Sequence, residues 1–410
     1  MKLWRAVLVF LSVLGPSVIT TMAGNDGGGV ITYSVAGAHF GYAILIILPF
    51  LTILYALTQE MGSRIAIVTG KGLGDLIREL YGVRIALLVF ALLLIANFGS
   101  VLTNASALKT SSQMLGISPL LFIPVMIMAA FALITLSNYE KSQKIFLTGM
   151  VFYLAYVFSA FKGNPQWGQA VTGMFIPAKT VLSKEFLITS IAVLGTTITP
   201  WGQFFVQSYM KDKNISVRKL KFARIEAWVG ALASSTFTFF IMVATAATLF
   251  AGGIALTSGE QAALAIKPIA GQLSSVLFAV GLVNAAVIGM IIVSLSSAYA
   301  FTEFFGFAGS LEDPYSKGKT FYSIFLFNLV LSALLVMTPF FPLFKIVVYT
   351  QSLNGILLPV FFFFLLKIIN NSGLMGKHTN GRWYNIFAVG ASGLIVVASV
   401  LAVGISLFGK

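Results

Sequence analysis

Apolar blocks of about twenty residues or more recur from one end of this chain to the other. A helix of that length crosses the roughly 30 Å hydrocarbon core of a bilayer. The composition agrees, because 58% of the 410 residues are hydrophobic and only 9% are charged, whereas a soluble domain covers its surface with more charge. The alternating segments of about ten residues that mark an outer-membrane barrel are not seen. The sequence therefore predicts an all-α polytopic membrane protein.

The blocks predict about eleven transmembrane helices. Their approximate bounds are residues 5–35, 41–67, 84–111, 117–137, 143–161, 186–211, 222–252, 272–302, 320–340, 343–369 and 384–408. With a cytoplasmic N-terminus, 19 of the 26 lysine and arginine residues fall on the cytoplasmic side, as basic residues prefer. The chain is thus expected in the plasma membrane, with its N-terminus inside and its C-terminus outside.

Several classes of function are excluded by composition. The chain has no cysteine, which removes disulfides, thiolate metal sites and cysteine nucleophiles. The net charge of +14 is spread over short loops rather than gathered in one patch, so no nucleic acid partner is expected. The sequence shows neither a paired nucleophile and base nor a second carboxylate in mid-span, so an enzyme is not expected. No cofactor and no obligate protein partner are predicted.

Two of the predicted spans contain residues that interrupt a helix. The first span carries "NDGGG" and the sixth carries "LGTTITPWGQ", where proline removes a backbone donor. The two breaks lie five spans apart, and interrupted helices at matching positions of two halves point to an inverted repeat with a site at the membrane midplane. We expect one domain over residues 1–410, with repeats at 1–165 and 180–372 and an extra helix at 383–408.

Asp26 is the one carboxylate in the middle of a span at these breaks. A charge at the bilayer centre costs about 2.5–3.5 kcal/mol even on the scale obtained from insertion experiments. A half-helix beginning near Val30 would offset part of this cost with its positive end, while one ending near Ala23 would present carbonyl groups. A carboxylate with carbonyls favours a cation. The alternative is that the three glycines serve close packing and that Asp26 only caps the next half-helix.

Five stretches carry a family resemblance. They are "LGPSVITTMAGNDGGG", "AGAHFGYAIL", "RIAIVTGKGLGDLIRELYG", "TTITPWGQ" and "NNSGLMGKHTNGRW". Together they resemble the Nramp divalent-metal transporters of the amino acid-polyamine-organocation superfamily. The resemblance runs through most of the chain, and it implies a transporter that works by alternating access.

The resemblance also implies a ligand set. The family's Asp-Pro-Gly-Asn motif falls on Asp26, Gly27, Gly28 and Gly29, and its Met-Pro-His motif falls on Thr199, Pro200 and Trp201. The ligand asparagine is thus replaced by Gly29 and the ligand methionine by Thr199. Two backbone carbonyls of the family's site would come from Ala23 and Thr196. Gln351 matches a glutamine near the family's ion pathway.

These departures change the expected cargo. A thioether favours transition metals over hard ions, and here it is absent from the motif. Glycine in place of asparagine removes an oxygen ligand and is expected to enlarge the cavity, which suits Mg²⁺ because this ion keeps several waters. The chain therefore resembles the Nramp-related magnesium transporter branch, and Mn²⁺ is expected to pass as well.

Proton coupling is not expected. The register of the third span puts Ser100 and Thr103 where classical members carry acidic residues, and "LLLIANFGSVLTNASALKTSSQ" contains no Asp, Glu or His. Such titratable groups are what carry protons within membranes. The nearest alternative is a proton-coupled Mn²⁺ or Fe²⁺ transporter of the same family. An amino-acid carrier of the superfamily is a further alternative.

Four other residues carry expectations of their own. Asn25 either supplies an outer hydrogen bond at the site or only forms the turn, and Trp201 either lines the pathway or packs. Glu226, like Glu303, is expected to pair with basic neighbours such as Arg224.

Overall fold

A computed structural model describes residues 13, 15–136, 139–257, 259–267, 271–338 and 343–408. Within these ranges every regular element is a helix and no strand occurs. The all-α prediction is therefore confirmed.

Seventeen α-helices make up the described part of the chain. They are α1 Pro16–Ala23, α2 Gly27–Phe40, α3 Leu48–Thr69, α4 Leu73–Met114, α5 Pro119–Thr135, α6 Tyr139–Gly149, α7 Leu154–Lys162, α8 Trp167–Gly173, α9 Lys184–Thr197, α10 Pro200–Asp212, α11 Leu220–Thr245, α12 Gly259–Ala263, α13 Ser274–Phe305, α14 Lys319–Met337, α15 Leu343–Ile369, α16 Ser372–Met375 and α17 Arg382–Phe408. Short 3₁₀ segments join several of them, at Gly41–Ile47, Met150–Tyr153, Lys179–Leu182, Val217–Lys219, Leu264–Ile266, Gly271–Leu273 and Gly376–His378, and one π-helical turn, Ala246–Phe250, extends α11.

Eight helices or continuous helical runs in the described ranges are long and apolar enough to cross a membrane. The count of eleven spans stays a prediction. The run Gly27–Thr69 joins the second half of the first span to the second span, while α5 and the two half-helices of the sixth span are each shorter than 18 residues. The third span also begins earlier than predicted. Its helix α4 starts at Leu73 rather than near residue 84, and Gly82, with φ of 80°, separates a short first part from the long remainder.

Both predicted helix interruptions are present. The chain leaves α1 after Ala23 and enters α2 at Gly27, and it leaves α9 after Thr197 and enters α10 at Pro200. The second half-helix of the first span begins three residues before the predicted start near Val30. The reason is that the glycines themselves adopt helical geometry once Asp26 has capped their free amide groups.

The two interrupted spans are enclosed by longer, continuous helices. Helix α11 packs on α1, α2 and α3, while α13 packs along α4 and α10. Helix α9 lies against α15 so closely that a Cβ atom at Gly195 would overlap the backbone carbonyl of Gln351 and the backbone nitrogen of Gly355. Small residues permit such backbone approach between membrane helices. The breaks therefore lie at the centre of the helix bundle.

The expected pairing of Glu226 with Arg224 is wrong. Glu226 Oε1 accepts hydrogen bonds from the backbone amides of Gly15, Ser17 and Val18, at 2.8, 3.0 and 3.2 Å. The sequence neighbour Arg224 instead forms an ion pair with Glu60, at 2.9 Å. The first turn of α1 has unpaired amide groups and a positive partial charge, and both favour a carboxylate.

Glu303 also departs from the expected pairing. It accepts hydrogen bonds from the hydroxyl group of Ser208 at 2.6 Å and from the backbone amide of Gly74 at 3.1 Å. This carboxylate thereby ties α13 to α10 and to the first turn of α4.

Candidate cation site

Asp26 lies in the turn between α1 and α2 and caps the second of these helices. Its Oδ1 atom accepts a 2.8 Å hydrogen bond from the backbone amide of Gly29. The side chain is 4% exposed. A carboxylate at this position uses the unpaired amides and the positive end of α2, which lowers the cost of burying its charge.

Asn104 on α4 holds the other carboxylate oxygen. Its Nδ2 atom donates to Asp26 Oδ2 at 2.7 Å, and its Oδ1 atom accepts from the backbone amide of Gly27 at 3.0 Å. The amide side chain therefore bridges the carboxylate and the first residue of α2. Each carboxylate oxygen has two lone pairs and uses one of them in these contacts, so each can still accept a further contact.

The carbonyl groups at the end of α1 are largely engaged. The Tyr55 hydroxyl group on α3 lies 3.3 and 3.2 Å from the carbonyl oxygens of Thr20 and Thr21. The carbonyl of Ala23, expected to face a cation, accepts the backbone amide of Asp26 at 3.1 Å. A carbonyl oxygen carries a second lone pair, and Ala23 retains that one for another contact.

The second interruption lies between α9 and α10. Thr199 caps α10, and its hydroxyl oxygen accepts the backbone amide of Gly202 at 3.1 Å. Pro200 has no amide hydrogen, so the carbonyl of Thr196 has no i+4 donor. Both of the oxygen-bearing residues predicted on this span, Thr196 and Thr199, are buried.

The two interruptions meet. A Cβ atom built on Gly24 would lie 3.5 Å from the carbonyl oxygen of Thr196. The hydroxyl groups of Tyr33 on α2 and Thr197 on α9 are 3.0 Å apart and share a hydrogen bond. Carbonyl, hydroxyl and carboxylate oxygens from two chain segments thus gather in one region of the bundle.

The glycines after Asp26 do not leave open space. A Cβ atom at Gly29 would overlap the carbonyl oxygen of Gly24, and one at Gly28 would lie 2.6 Å from Gln351 Nε2. Glycine is needed at position 29 because the backbone on the two sides of the turn approaches so closely. The expected enlargement of the cavity is not seen in this conformation, and both features of the packing alternative, close approach and capping, are present.

The three predicted pathway residues take different positions. Gln351 on α15 lies against Gly28, and its Oε1 atom accepts from Asn354 Nδ2 at 3.0 Å. Asn25 turns to α11, where it donates to Ser234 at 3.0 Å and accepts from Thr238 at 3.1 Å. The Asn25 side chain therefore holds the turn against α11. Trp201 is buried, and its carbonyl accepts from Ser296 at 2.9 Å.

Neutral polar groups continue away from Asp26 along α4. Asn104 Nδ2 also donates to the carbonyl of Ser100 at 3.0 Å, and the Ser100 hydroxyl group accepts from Asn354 Nδ2 at 3.0 Å. With Gln351, these side chains form a connected set of amides and hydroxyl groups between α4 and α15. None of them titrates near neutral pH.

The chemistry of the site is that of one hard anionic ligand among neutral oxygens. Across the part of the chain that the structure describes, no three His, Cys, Asp or Glu side chains come together as a metal-binding group. Asp26, Thr196, Thr199 and Trp201 are all buried, so the conformation closes the site to bulk solvent. One carboxylate, carbonyls and a hydroxyl group suit a hard cation that keeps part of its water shell.

Sequence reasoning missed Asn104, Tyr33 and Tyr55. Asn104 is the most direct partner of Asp26, 78 positions away in the chain. The only signal for it is a polar amide inside a long apolar span, which in a membrane helix marks a hydrogen bond to another helix. The tyrosines carry no such signal, because aromatic residues are common in apolar spans.

The chain matches the model of one protein family over most of its length. The family model for natural resistance-associated macrophage protein-like (Nramp) proteins matches residues 17–404. The divalent metal cation transporter MntH of Pectobacterium carotovorum is 24% identical over 389 residues, covering 92% of this chain and 90% of its own. The protein of the same name from Caldanaerobacter subterraneus is 22% identical over 416 residues, covering 98% and 94%.

A solved structure with a similar fold is the manganese transporter of Eremococcus coleocola, in complex with an aromatic bis-isothiourea substituted compound. It superposes with a TM-score of 0.82 at 17% sequence identity, covering 100% of this chain and 90% of its own. At that identity the likeness concerns the fold.

Proposed function

Since the chain belongs to the Nramp family, we propose that it is a divalent metal cation transporter that takes up Mg²⁺, and Mn²⁺ as well, at the site between its two helix interruptions. The ligands are the carboxylate of Asp26, the carbonyls of Ala23 and Thr196 and the hydroxyl group of Thr199. Gly29 occupies the position of a ligand that this chain lacks.

The single observation that carries the proposal is the pairing of a buried carboxylate with exclusively neutral partners. Asp26 accepts hydrogen bonds from Gly29 and Asn104, and no basic residue in the described ranges forms an ion pair with it. A buried charge without a counter-ion is costly. A cation that binds Asp26 offsets that cost, whereas the negatively charged carboxylate of an organic substrate would add to it.

Selectivity follows from the ligand types. Asp26 is a hard oxygen ligand, and the residue that caps α10 is Thr199, a hydroxyl ligand rather than a thioether. Soft ligands are what favour transition metals over Mg²⁺. Mg²⁺ dehydrates reluctantly and is commonly held by one or two carboxylates with waters retained. Because Gly24 and Gly29 are in close contact here, the turn must open to admit the hydrated ion.

Transport without proton coupling is part of the proposal. The polar groups that lead away from Asp26 are Asn104, Ser100, Asn354 and Gln351, and amides and hydroxyl groups do not release protons at neutral pH. The membrane potential is sufficient as a driving force. A divalent cation moving through about 100 mV releases about 4.6 kcal/mol, which supports accumulation on the order of a thousandfold.

Orientation and internal symmetry complete the proposal. The N-terminus lies in the cytoplasm and the C-terminus outside, and residues 1–165 and 180–372 are inverted repeats within the single domain 1–410, followed by the extra helix 383–408. The support is the distribution of basic residues and the five-span separation of the two interruptions.

Reconstituted protein tests the function directly. Proteoliposomes with an inside-negative potential are given Mg²⁺ while internal Mg²⁺ and internal pH are recorded together, with Asp26→Asn as the inactive control. We expect Mg²⁺ to enter without acidification and the variant to lose uptake. Exclusion of Mg²⁺ by the unaltered protein contradicts the proposed cargo, and acidification in proportion to uptake contradicts the uncoupled mechanism.

The second candidate function is proton-coupled transport of Mn²⁺. It is favoured by the name of the related protein from Eremococcus coleocola, a manganese transporter. In the same assay it predicts uptake of Mn²⁺ with acidification and rejection of Mg²⁺, so the two candidates give opposite results.

A further inference from the structure

Helix α10 carries a row of polar side chains that leads away from the cation site. Thr199 caps the helix, and Gln203 and Gln207 follow at intervals of four residues, which places them on one side of it. The rise of an α-helix puts Gln207 about 12 Å from Thr199 along the axis. Lys211 continues the same spacing to the partly exposed end of the helix, where it pairs with Asp75 at 3.2 Å.

A third glutamine on α3 faces this row. A Cβ atom built on Gly202 would lie 3.9 Å from Gln59 Nε2, and one on Gly62 would lie 3.4 Å from Gln207 Cγ. Gln59 and Gly62 are three residues apart on α3 and therefore share a face. The contact between α3 and α10 thus holds three amide side chains, Gln59, Gln203 and Gln207, here named the amide cluster.

The amide cluster is fully buried and poorly paired. All three side chains have an exposed fraction of 0%. Five of their amide atoms, both on Gln59, both on Gln203 and the oxygen of Gln207, have no hydrogen-bond partner among the described residues. Buried polar atoms in a membrane protein are normally satisfied, because hydrocarbon offers them nothing in exchange. So many unpaired atoms at one place indicate a ligand that both donates and accepts hydrogen bonds.

We propose that the amide cluster is a second, transient binding station, which holds the water shell of the divalent cation after the cation leaves Asp26. The station rests on the proposed function, because it takes the same hydrated ion. The amide oxygens accept hydrogen bonds from water molecules bound to the metal, and the cluster makes no direct metal contact. Its place beside α10 puts it between the site and the end of the bundle predicted to be cytoplasmic.

The chemistry of the amide cluster suits passage rather than storage. Its side chains are neutral, and a neutral oxygen that contacts only the water shell attracts the ion more weakly than the carboxylate of Asp26 does. An ion pathway needs sites that are favourable enough to enter and weak enough to leave. Waters bound to Mg²⁺ are held tightly, so a station that accepts them intact avoids the cost of stripping them off.

A thiol introduced into the cluster tests the station. The chain has no cysteine, so Gln203→Cys provides its only thiol in full-length protein. A positively charged methanethiosulfonate reagent reacts with the thiolate form, which needs a hydrated site. The matched control is Phe204→Cys, because Phe204 is the next residue on α10 and is buried against the rings of Phe304 and Phe361.

We expect Gln203→Cys to react roughly tenfold faster than Phe204→Cys, because only the former thiol is hydrated, and we expect Mg²⁺ to slow the reaction. In the double variant that carries both Gln203→Cys and Asp26→Asn, we expect Mg²⁺ still to slow the reaction, although at a higher Mg²⁺ concentration. Equal rates at the two positions overturn the station. Loss of all Mg²⁺ dependence with Asp26→Asn also overturns it, since protection then comes from the first site.

Transport and affinity provide the second measurement. Gln203→Leu and Gln207→Leu remove the amides at similar volume, and Gln169→Leu, at an exposed residue on α8, is the control. We expect the first two to lower the Mg²⁺ uptake rate about tenfold, the equivalent of one lost hydrogen bond, with calorimetric Mg²⁺ affinity unchanged. Unchanged uptake overturns the station, whereas an unaltered protein that fails to bind Mg²⁺ at all overturns the proposed function instead.

Discussion

Asn104 donates a hydrogen bond of 2.7 Å to the carboxylate of Asp26, and its other amide atom accepts the first backbone amide of α2. One neutral side chain on α4 therefore sets both the orientation of the carboxylate and the start of the helix that follows it. A carboxylate oxygen held in this way keeps a second lone pair, which the proposed cation would use. The Asn104 side chain therefore links the carboxylate proposed to bind the cation to the first residue of α2.

Asn104→Asp is expected to make Mg²⁺ binding depend on pH. The substitution places two carboxyl groups at the distance now spanned by a 2.7 Å hydrogen bond, and like charges at that separation share a proton. A cation must displace that proton. Calorimetric titrations in buffers of different ionisation enthalpy should therefore detect proton release on Mg²⁺ binding, and affinity should fall as pH falls.

The control for this experiment is Asn97→Asp. Asn97 lies two helical turns earlier on α4 and bonds to Ser297 at 3.0 Å rather than to Asp26. The Asn97→Asp substitution adds the same charge to the same helix without placing a second carboxyl group beside Asp26. Binding to Asn104→Asp that does not change with pH would show that residue 104 does not govern the protonation of Asp26.

Gly29→Ala is expected to destabilise the protein and to abolish uptake. Its methyl group would overlap the carbonyl oxygen of Gly24, and relief requires moving backbone rather than a flexible side chain. Overpacking of this kind costs about 1–3 kcal/mol. The matched change is Gly281→Ala on α13, where no atom lies within 4 Å of the new methyl group. Thermal unfolding should show a lower midpoint for the first variant only; equal midpoints would contradict the close approach of the turn.

Thr199→Met is expected to move selectivity toward softer ions. The substitution brings a thioether to the cap of α10, and thioethers favour ions such as Cd²⁺ over Mg²⁺. It also removes the hydroxyl group that accepts the Gly202 amide, at a cost of about 1 kcal/mol. Thr199→Leu loses the same cap without adding sulfur. Calorimetry should detect Cd²⁺ binding gained by the methionine variant alone, and a gain shared with leucine would remove residue 199 from the ligand set.

Glu226→Gln is expected to loosen α1. The carboxylate of Glu226 accepts three backbone amides at the start of this helix, and charged acceptors form hydrogen bonds about twice as strong as neutral ones. Hydrogen exchange measured by mass spectrometry should rise over residues 15–23 and stay unchanged in α2. Glu185→Gln, at an exposed residue in the first turn of α9, serves as the comparison. Equal exchange in the two variants would mean that Glu226 does not anchor α1.

Local signals in the sequence were sufficient to predict both helix interruptions. Glycine and proline act on their own backbone, so "NDGGG" and "LGTTITPWGQ" indicate the breaks without any knowledge of neighbours. The cap formed by Asp26 follows from the same local rule. The family match over residues 17–404 then confirms the resemblance drawn from short motifs.

Partners that come from distant parts of the chain could not be predicted. Glu226 accepts hydrogen bonds from residues more than 200 positions away. The predicted ion pair with its sequence neighbour Arg224 is incorrect. Asn104 reaches Asp26 across 78 positions. Glycine at position 29 predicts space because it has no side chain, yet the close approach of Gly24 fills that space. These contacts depend on how distant helices pack against each other, and the local sequence does not specify that packing.

The contact of Gly195 with the backbone of Gln351 and Gly355 has a mechanical consequence. Two helices whose main chains approach this closely have little room to slide past each other, so we expect α9 and α15 to move together during the proposed transport. Helix α10 has no such constraint where it joins α9, because Ile198 and Thr199 lie outside both helices. We therefore expect the two-residue link to act as the hinge about which α10 moves relative to the pair formed by α9 and α15.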